Sequence, residues 1–281
     1  MSFAPALPLG GIAGWALLQR VEGAQRDAFA RRPDVARDAA HFADRIAEVD
    51  TPAKLVADRR LLTVALGAFG LEGEVGKRAV IRRVLESDPA DRTSFAGRQL
   101  DPRWKALAEA FGFGSAAGPR TADPGFAARI TDKFRERAYE TALGEADPAM
   151  RLALNARREL AAYAKARDPD RAGWFQVLSD RPVRQVLEKA FGLPAEFGKL
   201  DVDRQREVFR SRTRNEFGDG SLKVFADPAN VDKLIRRFLA REAAEAGPGP
   251  TQRGVAALTI LTAGSGMGPL GFGNLIQSRF G

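Results

Sequence analysis

The sequence contains no cysteine and a single histidine, His41. Without cysteine there is no disulfide scaffold, no thiolate zinc site, no cysteine nucleophile and no thiolate-bound iron–sulfur cluster. A lone histidine excludes any site that needs two imidazoles from one chain, and it leaves a serine–histidine–aspartate triad only if His41 is the base. These absences remove most familiar catalytic arrangements, and we predict neither a cofactor nor a metal ion.

Long apolar runs are also missing. The longest fall well short of the roughly 20 residues that a transmembrane helix requires, so we predict no membrane span. The stretch from Met1 to Arg20 has no basic n-region, is interrupted by proline and glycine, and is followed by no small-residue cleavage site. We therefore expect a cytoplasmic protein, or one that is exported by a route without a cleaved signal peptide.

Basic residues exceed acidic ones by eight, which suggests a nucleic-acid-binding hypothesis. Within the densest basic stretch, Arg206, Arg210 and Arg214 follow the spacing i, i+4, i+8, which would place three guanidinium groups in one stripe along a helix. Acidic residues such as Asp203 and Glu207 interrupt the stretch. This interleaving favours a solvated, ion-paired helix face, and the stripe is kept as a candidate anion site.

Helix-forming residues dominate the chain and long alternating strand patterns are absent, so we predict an all-α fold. An Asp or Thr followed by Pro can start a helix, because the side chain caps the first turn and the proline loses no hydrogen bond there. A Phe-Gly pair can end a helix, because glycine adopts the left-handed conformation that closes the last turn. We expect most of the seven Asp-Pro or Thr-Pro pairs to start a helix. These pairs begin at Thr51, Asp88, Asp101, Asp123, Asp147, Asp168 and Asp227, and the Phe-Gly pairs that end helices begin at Phe69, Phe111 and Phe191.

Residues 55–77 align without a gap on residues 177–199, at an offset of 122 residues, with ten identities in 23 positions. We interpret the shared residues as a structural motif: Asp caps a helix, Phe anchors it in the core, Gly ends it, and Glu and Lys form an ion pair in the following turn. A paired binding site is the less favoured alternative. The motif comprises Asp58, Arg59, Phe69, Gly70, Leu71, Glu74 and Lys77 in the first copy, and Asp180, Arg181, Phe191, Gly192, Leu193, Glu196 and Lys199 in the second.

The repeat predicts two related helical halves that arose by internal duplication. A stretch rich in Gly, Ala and Pro separates them and is the best candidate for a linker. Both ends of the chain are apolar and rich in Gly or Pro, and we expect them to be flexible or to become ordered only against a partner. The predicted organisation is an N-terminal arm over residues 1–14, a first half over 15–113, a linker over 114–125, a second half over 126–246 and a C-terminal tail over 247–281.

The opening from Gly10 to Phe29, the block from Leu55 to Lys77 and the end from Asn274 to Arg279 together resemble an uncharacterised alphaproteobacterial family, domain of unknown function 1217. The resemblance implies an all-helical protein with no established catalytic residues, and members are often encoded among flagellar genes. Axial flagellar proteins tend to lack cysteine, are exported without a cleaved signal and have apolar ends that become ordered on assembly. The two predicted arms would suit that role, or that of an assembly factor that docks on such a segment.

The leading hypothesis is a non-enzymatic structural or assembly protein of the flagellum that acts through contacts with other proteins, which the resemblance implies are flagellar components. One alternative is a basic nucleic-acid-binding protein that uses the arginine stripe, although the interleaved acids make nucleic acid the less expected partner. The other alternative is an enzyme that works with carboxylates and arginines alone.

Overall fold

The computed structural model describes residues 7–246, which form twelve α-helices and no strand, so the all-α prediction is confirmed. The first six helices are α1 (Gly11–Ala30), α2 (Pro33–Arg45), α3 (Pro52–Ala57), α4 (Arg59–Gly67), α5 (Arg78–Leu85) and α6 (Pro102–Phe111). The other six are α7 (Phe126–Ala146), α8 (Pro148–Ala164), α9 (Trp174–Ser179), α10 (Arg181–Phe191), α11 (Val202–Phe217) and α12 (Pro228–Ala246). Short 3-10 helices lie at Ile46–Glu48, Glu72–Glu74, Ala195–Lys199 and Leu222–Ala226, and a π-helical turn at Pro169–Gly173.

Five of the seven predicted helix starts are confirmed. Proline occupies the first position of α3, α6, α8, α12 and the π-helical turn. At Asp88 the carboxylate accepts a hydrogen bond from the amide of Ala90 at 2.9 Å, but the chain turns there and enters no helix. Asp123 does not cap α7 either, because that helix begins after Gly125, whose φ of +75° breaks the helical path.

The predicted N-terminal arm is too long. Helix α1 begins at Gly11, whereas the sequence placed its start near Trp15, so the last four residues of the predicted arm are helical. Gly14 in this first turn is buried, and a Cβ there would lie 2.0 Å from the carbonyl oxygen of Leu9 and 3.1 Å from the terminal methyl of Met150 on α8. Residues 1–6 and the predicted tail, 247–281, lie outside the described residues.

The two predicted halves share one hydrophobic core. Helices α7 and α8, the first two of the predicted second half, form a hairpin that turns at Asp147: α7 packs against α1, α2 and α4 of the first half, whereas α8 packs against α10 and α12. Helix α1 also packs against α12, and Nε1 of Trp15 donates a hydrogen bond to the carboxylate of Asp232 at 2.7 Å. The first and last described helices therefore lie side by side.

The stretch predicted as a linker, residues 114–125, is a loop packed onto the first half. Thr121 is buried and donates a hydrogen bond to the carbonyl of Val49 at 2.7 Å. The amide of Arg120 donates to the carbonyl of Phe111 at 2.9 Å, which folds the loop back on the end of α6. These contacts hold α7 in place against the first half.

Candidate functional site

The first copy of the repeated motif begins at Asp58, which separates α3 from α4. One carboxylate oxygen accepts hydrogen bonds from the amides of Arg60 and Leu61, at 2.9 and 3.1 Å, as an N-cap does. The other oxygen lies 2.7 Å from Nε2 of His41 on α2. The predicted cap is confirmed, and the only histidine of the sequence orients it.

The second copy repeats this arrangement at Asp180, between α9 and α10. One carboxylate oxygen accepts from the amide of Val183 at 3.2 Å, and the other accepts from the hydroxyl of Tyr163 on α8 at 2.8 Å. Tyr163 and His41 each precede their aspartate by 17 residues. The two copies thus share a cap and a side chain that orients it, although the duplication itself stays a prediction.

The environments of the two aspartates shift their pKa values in opposite directions. Burial tends to raise the pKa of Asp58, but the hydrogen bonds from His41 and from the amides of α4 outweigh burial and lower it. Burial also raises the pKa of Asp180, and there the hydrogen bonds from Tyr163 and Val183 do not offset it. The carboxylate of the second copy is the harder of the two to ionise.

Each copy ends its helix with a left-handed glycine, as predicted. Gly70 has a φ of +70° and Gly192 a φ of +62°. The following leucine amide donates to a carbonyl five residues back at 2.9 Å in both copies, from Leu71 and from Leu193. The phenylalanines before the glycines are buried core residues, Phe69 and Phe191.

Arginine side chains from distant helices approach both glycines. Arg103 of α6 donates to the carbonyl of Gly70, and a Cβ at Gly70 would lie 3.0 Å from the guanidinium of Arg137 on α7. A Cβ at Gly192 would lie 2.6 Å from the guanidinium of Arg241 on α12. A cation at a helix C-terminus is favourable, and the positive φ explains why both positions need glycine.

The remaining motif residues behave differently in the two copies. Arg59 and Arg181 are exposed in the first turns of α4 and α10. The predicted ion pair of the first turn forms, with Nζ of Lys77 lying 2.6 Å from the carboxylate of Glu74. The structure gives no such pair for the second copy, where Glu196 and Lys199 belong to a five-residue 3-10 helix.

Arg137, which lies beside Gly70 of the first motif, and Asp180, which starts the second motif, belong to a partly buried polar cluster on α7, α8 and α10. Arg137 of α7 donates to Glu159 of α8 at 2.9 Å, and Arg158 contacts both Glu159, at 3.1 Å, and the nearly fully buried Glu140. We call this group the junction cluster; its members are Arg137, Glu140, Arg158, Glu159, Tyr163 and Asp180.

The charges of the junction cluster largely compensate one another. Burial raises the pKa of Glu140, and the adjacent Arg158 guanidinium opposes that rise. Burial and the repulsion of Arg158 lower the pKa of Arg137. Burial also raises the pKa of Tyr163, so its hydroxyl is a hydrogen-bond donor at neutral pH. Each of these groups bonds to a neighbour in the cluster, which ties α7, α8 and α10 together.

A groove of about 330 Å³ opens beside the cluster, between α2, α4 and α7. Its floor is apolar and includes Phe29, Val35 and Phe134. Charged side chains line its rim, among them Glu72 and Arg137, which is also a member of the junction cluster. An apolar floor with a polar rim is the composition of a surface that contacts another protein.

The arginine stripe lies along α11 but is not a free basic surface. The guanidinium of Arg206 packs over the ring of Phe175, with Cζ 5.1 Å from the ring centroid, and pairs with Asp203 at 3.2 Å. Arg210 is half-buried and lies 3.9 Å from Glu207. Of the three stripe residues, Arg214 is the exposed one.

Within residues 7–246, no group of three acidic or histidine side chains is placed to hold a metal ion. Among the same residues, no helix is long and apolar enough to cross a membrane.

Sequence reasoning missed the side chains that complete both aspartate sites. Tyr163 and the charged residues of the junction cluster carried no motif of their own. One signal was available, because the offset of 122 residues that relates the two copies also places His41 opposite Tyr163. Extending the alignment backwards from Asp58 and Asp180 would have found the pair.

Comparison with known proteins supports the fold. The family model described as "Protein of unknown function (DUF1217)" matches residues 68–231, more than half of the chain. An X-ray crystal structure of a protein from Agrobacterium tumefaciens is similar, with a TM-score of 0.68 and 24% sequence identity over 85% of this chain and 97% of that chain. At this identity the likeness concerns the fold alone. A search of curated proteins gives no match.

Proposed function

The chain belongs to the DUF1217 family, and on that premise we propose that it is a non-enzymatic, flagellum-associated structural or assembly protein that acts through contacts with other proteins. The observation that carries the proposal is the use of its buried ionisable groups. Arg137 bonds to Glu159 and Tyr163 bonds to Asp180, so these side chains connect α7, α8 and α10 of the second half. Groups committed in this way are poorly suited to act on a substrate.

The flagellar setting rests on the resemblance of the sequence to a family whose members are often encoded among flagellar genes. The absence of cysteine agrees with export through a secretion channel, and the apolar chain ends agree with assembly against a partner. A partner protein would find its best described surface in the groove between α2, α4 and α7, whose floor is apolar.

Deletion of the encoding gene tests the proposal. We expect reduced swimming in soft agar and fewer or shorter filaments by electron microscopy, with normal growth and full restoration by the wild-type gene supplied in trans. Normal swimming with normal filaments in the deletion strain would refute the flagellar role. Fractionation of purified flagella then distinguishes an exported component from a cytoplasmic assembly factor.

A pair of tryptophan substitutions tests the groove. Thr63 lines the groove, so Thr63→Trp should fill it and fail to restore swimming to the deletion strain. Thr93 is exposed outside the groove, so Thr93→Trp should restore swimming fully and serves as the matched control. Equal restoration by the two variants would show that the groove is not where a partner binds.

Nucleic-acid binding has less support from the geometry. Phe175 and Asp203 engage Arg206, and Arg210 lies near Glu207, so two of the three stripe arginines are not free to contact phosphate. Phosphate contacts strengthen as salt is reduced. Fluorescence anisotropy with labelled DNA and RNA at low salt is therefore the sensitive assay, and we expect no saturable binding.

A further inference from the structure

Helices α7 and α12 occupy equivalent places around the two copies of the motif. Helix α7 packs against α2 and α4, and α12 packs against α8 and α10. Arg137 of α7 approaches Gly70, just beyond the end of α4. Arg241 of α12 approaches Gly192 in the same way, just beyond the end of α10. The groove between α2, α4 and α7 can therefore be compared, residue by residue, with the space between α8, α10 and α12.

In the second half an ion-paired lysine fills this space. Nζ of Lys189 on α10 lies 2.9 Å from the carboxylate of Glu242 and 2.5 Å from that of Glu245, both on α12. Only 24% of the Lys189 side chain is exposed. Its alkyl stem therefore covers surface between the two helices, while the two carboxylates hold its ammonium group.

The first half has small residues at the three corresponding positions. The gap-free alignment of the two motif copies places Gly67 opposite Lys189. Counted along the helices from the two arginines, Ala138 and Thr141 of α7 lie opposite the two glutamates of α12. All three small residues line the groove, and none has a side chain long enough to cross it. The groove is thus the space that Lys189 closes in the other half.

The rim of the groove carries more acidic than basic groups. Its charged members are Asp34, Asp38, Glu72, Glu145, Arg32 and Arg137. Arg32 bonds to Asp34 at 2.7 Å. Arg137 bonds at 2.9 Å to Glu159, which lies outside the groove. Because the whole sequence has eight more basic than acidic residues, this acidic rim is a local reversal of sign.

Two of these carboxylates are able to receive a cation from outside. Among residues 7–246, no cation pairs with Glu145, which is exposed. Glu72 lies 3.1 Å from Arg151, and both side chains are at least 40% exposed. An exposed pair of this kind contributes little to stability, so a cation from a partner can take the place of Arg151.

We propose that the groove binds a segment of a partner protein that presents a lysine or arginine beside apolar residues. The long cationic side chain takes the place that Lys189 has in the second half, with its charge near Glu145 and Glu72, and its apolar neighbours pack on the apolar floor. The same carboxylates disfavour an acidic segment or a nucleic acid. This inference rests on the proposed function and deepens it by naming the chemistry of the partner.

Fluorescence anisotropy of the full-length protein with two synthetic peptides tests the proposal. The probe is a fluorescein-labelled amphipathic helix of about four turns, made of leucine and lysine, and its counterpart has glutamate at every lysine. We expect the lysine peptide to bind at least about tenfold more tightly, with an affinity that falls as salt screens the charges. The net charge of the protein favours the glutamate peptide, so a preference for lysine reports the local rim. Equal affinities would overturn the proposal.

Reversal of one rim charge tests which surface binds the peptide. Glu145→Lys should weaken binding of the lysine peptide at least about fivefold and strengthen binding of the glutamate peptide, because attraction and repulsion change places. Asp44→Lys makes the same change of charge at an exposed position of α2 outside the groove, and should leave both affinities within about twofold of wild type. Equal effects of the two substitutions would overturn the groove as the binding site.

Filling the groove provides a test without a change of charge. Thr63→Trp should weaken binding of the lysine peptide at least about fivefold while circular dichroism stays unchanged, whereas Thr93→Trp should bind as wild type does. Full binding by Thr63→Trp would overturn the proposal. A dimer in sedimentation velocity that Thr63→Trp abolishes, without peptide binding by wild type, would overturn it in favour of a second copy of the chain.

Swimming and peptide binding separate this inference from the flagellar role. A preference of the purified protein for the lysine peptide, together with normal swimming of the deletion strain, would refute the flagellar role and support the partner chemistry. Impaired swimming without that preference would overturn the partner chemistry and leave the flagellar role supported.

Discussion

Asp58 and Asp180 cap equivalent helices with nearly the same backbone, at φ, ψ of −92°, 110° and −86°, 94°. Their surroundings are nevertheless different. Asp58 meets a partly exposed histidine at the edge of the first half, whereas Asp180 meets a tyrosine inside the junction cluster. Local geometry selects an aspartate at both positions, and packing of the halves decides how readily each one ionises. Four predictions test this contrast between the surroundings of the two copies.

The largest effect is expected from breaking the buried charge cluster. Arg158→Met leaves Glu140, which is 4% exposed, without its cation, and we expect a loss of about 3–5 kcal/mol in the free energy of unfolding. Arg45→Met, which removes an exposed partner of Glu48 at 3.4 Å, should cost about 0.5 kcal/mol or less. Urea unfolding followed by circular dichroism measures both. Equal losses would mean that the junction cluster does not contribute as a buried network.

The next effect concerns the two left-handed glycines. Gly70→Ala and Gly192→Ala should each cost about 1–2 kcal/mol from backbone strain. The two costs should be similar, because the atoms nearest to each new Cβ are the ends of the flexible side chains of Arg137 and Arg241, which can move aside. Gly73→Ala is the control, since it has no neighbour within 4 Å and no positive φ. Thermal and urea unfolding should show a clear loss for the first two variants and little change for the control, and an equal loss at Gly73 would contradict the geometry.

A smaller effect should follow removal of the side chain that orients each cap. Tyr163→Phe leaves a buried carboxylate oxygen of Asp180 without its donor and should cost about 1–2 kcal/mol. His41→Phe should cost less, because water can replace the imidazole at the more exposed Asp58. Equal costs in urea unfolding would argue that the two copies have similar environments after all.

The smallest effect is a difference in pH dependence. The folded-state pKa of Asp58 lies below its unfolded value, so its ionisation contributes stability above about pH 4 that is lost as pH falls through the folded pKa. The folded-state pKa of Asp180 lies above its unfolded value, so stability is fully present below about pH 4 and is lost as pH rises through the folded pKa.

Asparagine substitutions test these opposite dependences of stability on pH, because asparagine caps a helix about as well as aspartate but does not ionise. From pH 3.5 to 7, the stability advantage of wild type over Asp58→Asn should grow, and its advantage over Asp180→Asn should shrink. Urea unfolding at several pH values provides the measurement. If the two differences in stability changed in the same direction with pH, the environments assigned to Asp58 and Asp180 would be contradicted.

Much of the fold was predictable because its signals are local. The cap at Asp58, the stops at Gly70 and Gly192 and the proline-led start of α6 all depend on backbone conformations that only a few residue types satisfy. Two expectations were wrong: Asp88 caps a turn that no helix follows, and α1 starts four residues before the position that the sequence indicated.

The candidate site was predictable only in part. The motif placed Asp58 and Asp180 at helix starts, but no local pattern linked Asp180 to Arg137, which lies on another helix. A single sequence reports the spacing of residues along the chain, and the junction cluster depends on which helices become neighbours. The stripe arginines show the same limit, since their spacing was visible but the packing of Arg206 on Phe175 was not.

The sequence by itself determined the class of the fold, the residues that start and end its helices, and the absence of cysteine and of a second histidine. These follow from composition and from backbone preferences that act over a few residues. Only the tertiary structure decided that the halves share one core, and that Asp58 is paired with a histidine while Asp180 is paired with a tyrosine. The physical reason is that burial and electrostatics depend on neighbours in space, and here those neighbours come from distant parts of the chain.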